Sequence, residues 1–385
     1  MDKIQDESVH KSTQLINYHR LSLVTLEALM QLKEIELKPA WIDRPIKSLN
    51  NETLNRARER QSHLTKPPGA LGRLEDLAIR LASMQGRDRP HLERISIVVF
   101  AADHGIMEEN VSAFPQTVTT EMIKNFSAGG AAISVLAATL NARLEVVNLG
   151  TIIDPGQLPG VVSQRIAPCT ANICKEPAMT SAQLQEALNV GYEAVQRVLD
   201  NDVDLFIGGE MGIGNTAVAT AIACALLNEP AESLTGPGTG LNPEGVKRKA
   251  KIIQSALDLH TKELENPLSV LRCIGGFEIA ALTGAFITCS QAGVPVLVDG
   301  FIATVAALVA VMLKPDCVSW FFFSHASAEP GHRKVLEKLN GQPLLDLGMR
   351  LGEGSGAAVA LPLLRMACDL HNNMATFAEA GVSNA

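Results

Sequence analysis

From residue 95 onward the chain alternates short, continuous apolar runs with longer segments of helical periodicity. The runs are "ISIVVFAADHG" (95–105), "LEVVNLG" (144–150), "VDLFIGGE" (203–210), "VPVLVDG" (294–300) and "VSWFFFSHA" (318–326), each ending in small or polar residues. Unbroken apolar strands separated by helices predict an α/β fold whose parallel sheet is buried on both faces. Ligands of such sheets bind beyond the carboxyl ends of the strands. The residues that close these runs are therefore candidates for chemistry: Asp103, His104, Glu210, Asp299, Ser324 and His325.

Before residue 95 the pattern is helical. "STQLINYHRLSLVTLEALMQLKEIE" (12–36) predicts an amphipathic helix, with Leu15, Leu23, Leu26 and Leu29 on one side and a break at Pro39. Residues 50–86 predict two helical stretches around "TKPPGALGRLE", where Pro67, Pro68 and Gly69 force a turn and Leu71, Leu74, Leu77 and Leu81 recur at helical spacing.

Three glycine-rich segments interrupt these patterns: "GGEMGIGNTAVATA" (208–221), "TGPGTGLNPEGVKRK" (235–249) and "LGEGSGAAVALP" (351–362). The first follows a strand and opens an apolar helix, with Asn215 or Thr216 suited to cap it, a context that can hold a phosphate. The familiar nucleotide signatures are missing: there is no G-x-x-x-x-G-K-[ST], and no G-x-G-x-x-G after the first strand. Lys249, or Lys247 beside it, is a candidate cation for phosphate; the alternative is a solvated basic helix face in "KRKAK". Glu210 and Glu353 each sit inside a glycine-rich turn. Either alone reads as a first-turn helix residue favoured by the macrodipole, worth about 0.3–1 kcal/mol. Together they fit a ligand that is anionic at one end and develops positive charge, or loses a proton, at the other. A phosphoribosyl group leaving a pyridinium base is such a ligand.

Composition narrows the field. The chain has 385 residues, 46% hydrophobic, 19% charged, with a net charge of −8; this is a globular composition with room for about two domains. The acidic balance argues against a nucleic-acid or anionic-membrane partner. Seven cysteines without a C-x-x-C pair read as reduced thiols of a cytoplasmic protein. The start, "MDKIQDESVHKSTQ", lacks the early apolar run of a signal peptide. The longest apolar stretch, "FIATVAALVAVML" (301–313), is shorter than the ~18 residues of a membrane span.

The ordered set "KPPGALGRLE", "ADHGI", "GGEMGIGNTA", "TGPGTG", "LVDGF", "SHASAEPG" and "RLGEGSGAA" resembles the nicotinate-nucleotide:dimethylbenzimidazole phosphoribosyltransferase family of cobalamin biosynthesis, from about residue 41 to 375. The resemblance implies transfer of the 5-phosphoribosyl group of nicotinate mononucleotide to 5,6-dimethylbenzimidazole or a similar base, giving an α-riboside 5′-phosphate and nicotinate, with no cofactor and no metal. It implies a Rossmann-like three-layer parallel sheet over 91–329, a smaller helical domain formed from both termini (41–90 with 330–385), an N-terminal appendage (1–40), and a homodimer. Under the same resemblance Glu353 and Glu210 are catalytic, and Met211, Leu351 and Phe114 lie near the aromatic base. Lys249 is a ligand-facing lysine. Gly212, Gly214, Asn215, Thr216, Gly236, Gly238, Gly240, Gly352 and Gly354 form the substrate-binding turns. The chain departs from the family in the extra N-terminal helix and in "VSAFPQTVT" (111–119).

Two rival readings stand beside this one. Asp103 and His104, or His325, Glu329 and His332 of "SHASAEPGH", would serve a metal-dependent hydrolase, although H-x₃-E-x₂-H is not a standard zinc spacing. A non-catalytic nucleotide-binding protein would use the same turns without turnover.

Overall fold

The structure, a computed structural model, describes residues 38–383. The predicted 12–36 helix lies outside the described residues. A seven-stranded sheet runs in the order β3-β2-β1-β4-β5-β6-β7, and every pairing is parallel. Its strands are β1 (Ile95–Ala102), β2 (Arg143–Gly150), β3 (Val161–Ser163), β4 (Leu205–Met211), β5 (Val296–Val298), β6 (Phe321–His325) and β7 (Pro343–Leu345). All eight residues of β1 are buried, as a strand covered on both faces requires.

Helices close both faces. Thr117–Ala128, Ala132–Leu140 and Ser355–Asn373 pack on one side; Ser181–Leu199, Phe277–Ala292 and Phe301–Leu313 pack on the other. Helix starts follow local chemistry: the side chain of Asn50 caps Asn51–His63, Thr180 and Gln183 form a capping box, and Asn242 precedes Pro243 at the head of Pro243–His260. The two stretches predicted in 50–86 are the helices Asn51–His63 and Arg73–Gln85, the second packed on Ser355–Asn373.

The chain departs from β1 toward β2 and β3, then crosses back to β4. The strand order therefore reverses between β1 and β4, and a cleft opens beyond their carboxyl ends. This is where "ADHG" and "GGEMGIGN" meet.

Residues 330–345, assigned from sequence to the smaller helical unit, join the sheet. Pro330–Lys338 packs on Phe301–Leu313 and β7 pairs with β6. Three residues of "PLL" are too short a run to stand out between helical patterns, and the same holds for β3. The 318–326 run is part 3₁₀-helix, Pro315–Trp320, before β6 begins. Phe301–Leu313 is a buried core helix. Thr117–Leu140 is apolar and long enough by composition to cross a bilayer, but left-handed Gly129 ends one helix at Ala128 before a second begins at Ala132.

Candidate active site

The turn that carries Glu353 is built from three successive left-handed residues, Gly352 (φ 88°), Glu353 (φ 64°) and Gly354 (φ 84°). A non-glycine residue in this region costs about 1–3 kcal/mol and persists only where its surroundings hold it. Asp299, at the end of β5, supplies that hold: its carboxylate accepts the Gly354 N–H at 3.1 Å and the Ala357 N–H at 2.8 Å. Those amides belong to the open first turn of Ser355–Asn373, so Asp299 caps this helix and is favoured by its dipole. The Glu353 N–H in turn donates to the Glu210 carbonyl at 3.2 Å. The two turns touch closely. A Cβ at Gly209 would stand 2.3 Å from the Glu353 carbonyl oxygen, and one at Gly352 would stand 2.3 Å from Glu210 Oε1.

Glu210 and Glu353 thereby converge on one cavity of about 360 Å³. Glu210 is 5% exposed and Glu353 4%. Burial pushes the Glu210 carboxyl well above the usual range, helped by Asp299, Glu278 and Glu353, while a hydrogen bond from Asn215 opposes the shift. Glu210 is therefore held toward its neutral form. Glu353 is also raised, by burial first and then by Asp299, against a hydrogen bond from the Ile133 backbone. Its Oε2 is buried and has no hydrogen-bond partner among the described residues, so a proton acceptor of raised affinity faces the cavity. His325, 3.9 Å from Asp299 and bonded to Ser324 at 3.1 Å, completes the wall.

One end of the cavity is polar. The helix Asn215–Leu227 begins there, and Thr216 Oγ1 accepts from Lys249 Nζ at 2.7 Å. Lys249 is 1% exposed, and burial lowers it to about 8, with Glu329 opposing. The adjoining turn is held by Glu329, which accepts the Gly238 N–H at 3.0 Å, and by Arg350, which donates to the Gly238 carbonyl at 2.8 Å. The lining also has an apolar part, Phe114, Val118, Met122, Met211 and Leu351. Phe114 and Leu351 are themselves exposed at its mouth. A helix N-terminus backed by a buried cation, two carboxyls and an apolar wall on one cavity suit a flat base joined to an anionic sugar.

Known proteins share this fold and much of this sequence. Residues 46–382 match the phosphoribosyltransferase family named for dimethylbenzimidazole. The chain belongs to this phosphoribosyltransferase family. It is 56% identical over 345 residues to the nicotinate-nucleotide–dimethylbenzimidazole phosphoribosyltransferase of Pseudomonas putida, covering 90% of this chain and 98% of that protein. It is 59% identical over 326 residues to the enzyme of the same name from Xanthomonas euvesicatoria, covering 85% of this chain and 93% of that protein. A solved structure of a phosphoribosyltransferase of this name from Thermus thermophilus superposes with a TM-score of 0.82 at 43% identity, covering 88% of this chain and all of that one.

Within this phosphoribosyltransferase, the sequence-predicted residues Phe114, Glu210, Met211, Gly212, Asn215, Thr216, Gly238, Leu351, Gly352 and Glu353 line the cavity. Gly214 heads the 215–227 helix, and Gly236 packs against Glu329 while its carbonyl faces Lys249 at 3.5 Å. Lys249, Gly240 and Gly354 are also outside the cavity lining, Lys249 reaching it through Thr216. The Gly354 N–H is occupied by Asp299, and Gly240 lies in open space, outside the cavity lining. The glycine turn around Glu353 is thus a clamp for that carboxylate, and its amides are not a phosphate cradle. Lys249 is buried while Lys247 is exposed, so "KRKAK" is not a uniformly solvated face.

Arg350 and Ser327 at the cavity were given no role from the sequence, and Glu329 only that of a possible metal ligand. Asp299 carried a signal, an acid closing an apolar run, but its partners lie some fifty residues away. The atoms proposed for a metal turn to separate partners: His332 Nδ1 accepts the Ser327 N–H at 2.8 Å, Glu329 accepts from Gly238, and His104 stands against Glu278 at 2.9 Å.

Proposed function

We propose that the protein transfers the 5-phosphoribosyl group of nicotinate mononucleotide to 5,6-dimethylbenzimidazole, giving α-ribazole 5′-phosphate and nicotinate, and that it works as a cytoplasmic homodimer. The observation that carries the reading is the convergence of Glu353 and Glu210 on a cavity lined also by Lys249-bound Thr216 and by apolar side chains, in a chain of this family. In this scheme the phosphate takes the Lys249–Thr216 end and the amides that open the 215–227 helix. The acceptor lies flat between Phe114, Met211 and Leu351. Glu353 takes the azole N–H proton while the other ring nitrogen attacks the anomeric carbon. The bond from that carbon to the pyridinium breaks with both electrons going to nicotinate, which needs no proton to leave. Attack opposite the departing base inverts the β-nucleotide to an α-product.

Glu210, held neutral, acts in this scheme as a hydrogen-bonding group toward the ribose hydroxyls and not as a full negative charge. Glu210→Gln keeps the shape and the neutral state, so it is expected to lose only about tenfold in kcat/KM, the worth of one hydrogen bond. Stability supplies a second sign. A carboxyl raised on folding stabilises the protein below its unfolded value near 4.5, and that contribution is lost as pH rises through the folded value. Glu210→Gln should therefore gain on the wild type in thermal melts as pH goes from 5 toward 8. An unchanged difference at the two pH values would show that Glu210 ionises freely.

The test of the function is nicotinate release from nicotinate mononucleotide, in the presence of chelator, without acceptor and with each of several bases. Release is expected to require a base. Stacking on Phe114 favours any flat ring by about 0.5–1.5 kcal/mol, while a methyl group in such a pocket is worth about 1–3 kcal/mol. 5,6-Dimethylbenzimidazole and benzimidazole should then react within roughly two orders of magnitude of each other. Adenine should be slower, since its extra ring nitrogens lose water without assured partners. Acceptor-independent release would favour a hydrolase, inhibition by chelator a metal enzyme, and tight binding without release a nucleotide-binding protein.

A further inference from the structure

The strand-end pair Asp103 and His104 has no part in the scheme above, yet it lies directly under the turn that follows β4. His104 and Glu278 are both fully buried, with Nε2 of the ring 2.9 Å from Oε1 of the carboxylate. Glu278 stands in the first turn of Phe277–Ala292. The ring packs against the backbone of the ligand turn: a Cβ at Gly212 would stand 2.9 Å from His104 Nε2 and 2.4 Å from the Ala102 carbonyl. The His104 carbonyl accepts from the Gln116 side chain at 2.8 Å. One residue therefore touches both the β4 turn and the segment that follows Phe114.

The charged and titratable groups around this ring come from every side. Asp103 precedes it and accepts the Ile152 N–H at 2.9 Å; Cys169 and Glu108 lie beyond Asp103; Glu210 stands on β4. Glu108 is engaged with Lys175. Burial alone would discharge His104, but Glu278, and Asp103 after it, raise its proton affinity above the ordinary histidine value. Glu278 also acts on Glu210, pushing it toward the neutral form.

We infer that His104 and Glu278 are positioning residues, an ion pair that seats the turn Met211–Gly214 and sets an imidazolium beneath the place where the substrate's anionic end binds. The inference rests on the reading of this cavity as a phosphoribosyl pocket. A fixed positive charge under the turn adds to the favourable end of the 215–227 helix dipole. Loss of His104 alone leaves a buried carboxylate without its partner, which costs more stability than loss of both.

The test uses the full chain with His104→Gln, Glu278→Gln and the double variant. In thermal melts His104→Gln should be the least stable, and the double variant should recover much of that loss. The KM for nicotinate mononucleotide should not recover: it stays about tenfold raised in the double variant, with kcat little changed. Lys249 also titrates on the alkaline side, so the rise of KM with pH is compared between wild type and double variant, which should lose one of two components. Independently of turnover, the His104 ring resonances should report mostly imidazolium at about pH 6.5, where an unperturbed histidine is half-neutral, and neutral imidazole in Glu278→Gln. If wild-type protein releases no nicotinate, the functional reading fails while the ring resonances still report on the pair. A neutral ring in the wild type, or a double variant with wild-type KM and pH profile, overturns the inference.

Discussion

Glu353→Gln is expected to lower kcat by about 10²–10⁴-fold with the fold intact, the usual cost of removing a general base. The amide reproduces the shape of the side chain and cannot take the azole proton. Its backbone conformation survives, because the left-handed turn is held by Asp299 and by the Glu210 carbonyl, and neither contact uses the Glu353 side chain. The pH profile carries the same signature. Burial and Asp299 raise the Glu353 carboxyl above 4.5, so activity of the wild type should fall on the acid side at a pH above that of a free glutamate. The limb reflects protonation of the base, and the residual activity of Glu353→Gln should lack it. Near-normal turnover by a purified, folded Glu353→Gln protein would remove Glu353 from the mechanism.

Lys249→Met carries the second large effect. The methionine keeps most of the buried stem volume and removes the charge, while Glu329 keeps the Gly238 N–H as a partner. Charge-assisted hydrogen bonds are worth about 1.5–3 kcal/mol, so the KM for nicotinate mononucleotide should rise about 10- to 150-fold. The wild type gives a further check. Lys249 is lowered to about 8, chiefly by burial, so its charge is present below that pH and lost above it. Affinity for the anionic substrate should weaken as pH rises through this range in the wild type, and by less in Lys249→Met. An unchanged KM would return Lys249 to a purely internal role with Thr216 and Gly236.

The alternation of apolar runs and helices was enough to foresee the parallel sheet, because a strand covered on both faces cannot hide its unbroken apolar stretch. β1, β5 and β6 fall within the runs read at 95–105, 294–300 and 318–326, and β2 and β4 exceed those at 144–150 and 203–210 by one residue each, Arg143 and Met211. β3 and β7 were not legible: three residues carry no periodicity, and both take their strand character from the neighbour they pair with. The same distinction governs the site. Glu210 and Glu353 were visible because acids in glycine-rich turns are locally anomalous. The contacts that give them their properties are long-range: Asp299 reaching the helix at Gly354 and Ala357, Glu329 reaching Gly238, Lys249 reaching Thr216. Glu278 shows the limit most clearly. In "FEIAALTGAFITCSQA" it reads as an ordinary first-turn acid, and only the approach of β1 to the helix sets it against His104.

A single inverting displacement at the anomeric carbon, with the base as nucleophile, is tested most directly by product analysis. The protein is incubated with nicotinate mononucleotide and 5,6-dimethylbenzimidazole, and the products are quantified and their anomeric configuration is read by proton NMR. Nicotinate and an α-riboside 5′-phosphate of the base are expected in equal amounts. A β-riboside, or nicotinate accompanied by free ribose 5-phosphate in place of the riboside, would contradict that displacement.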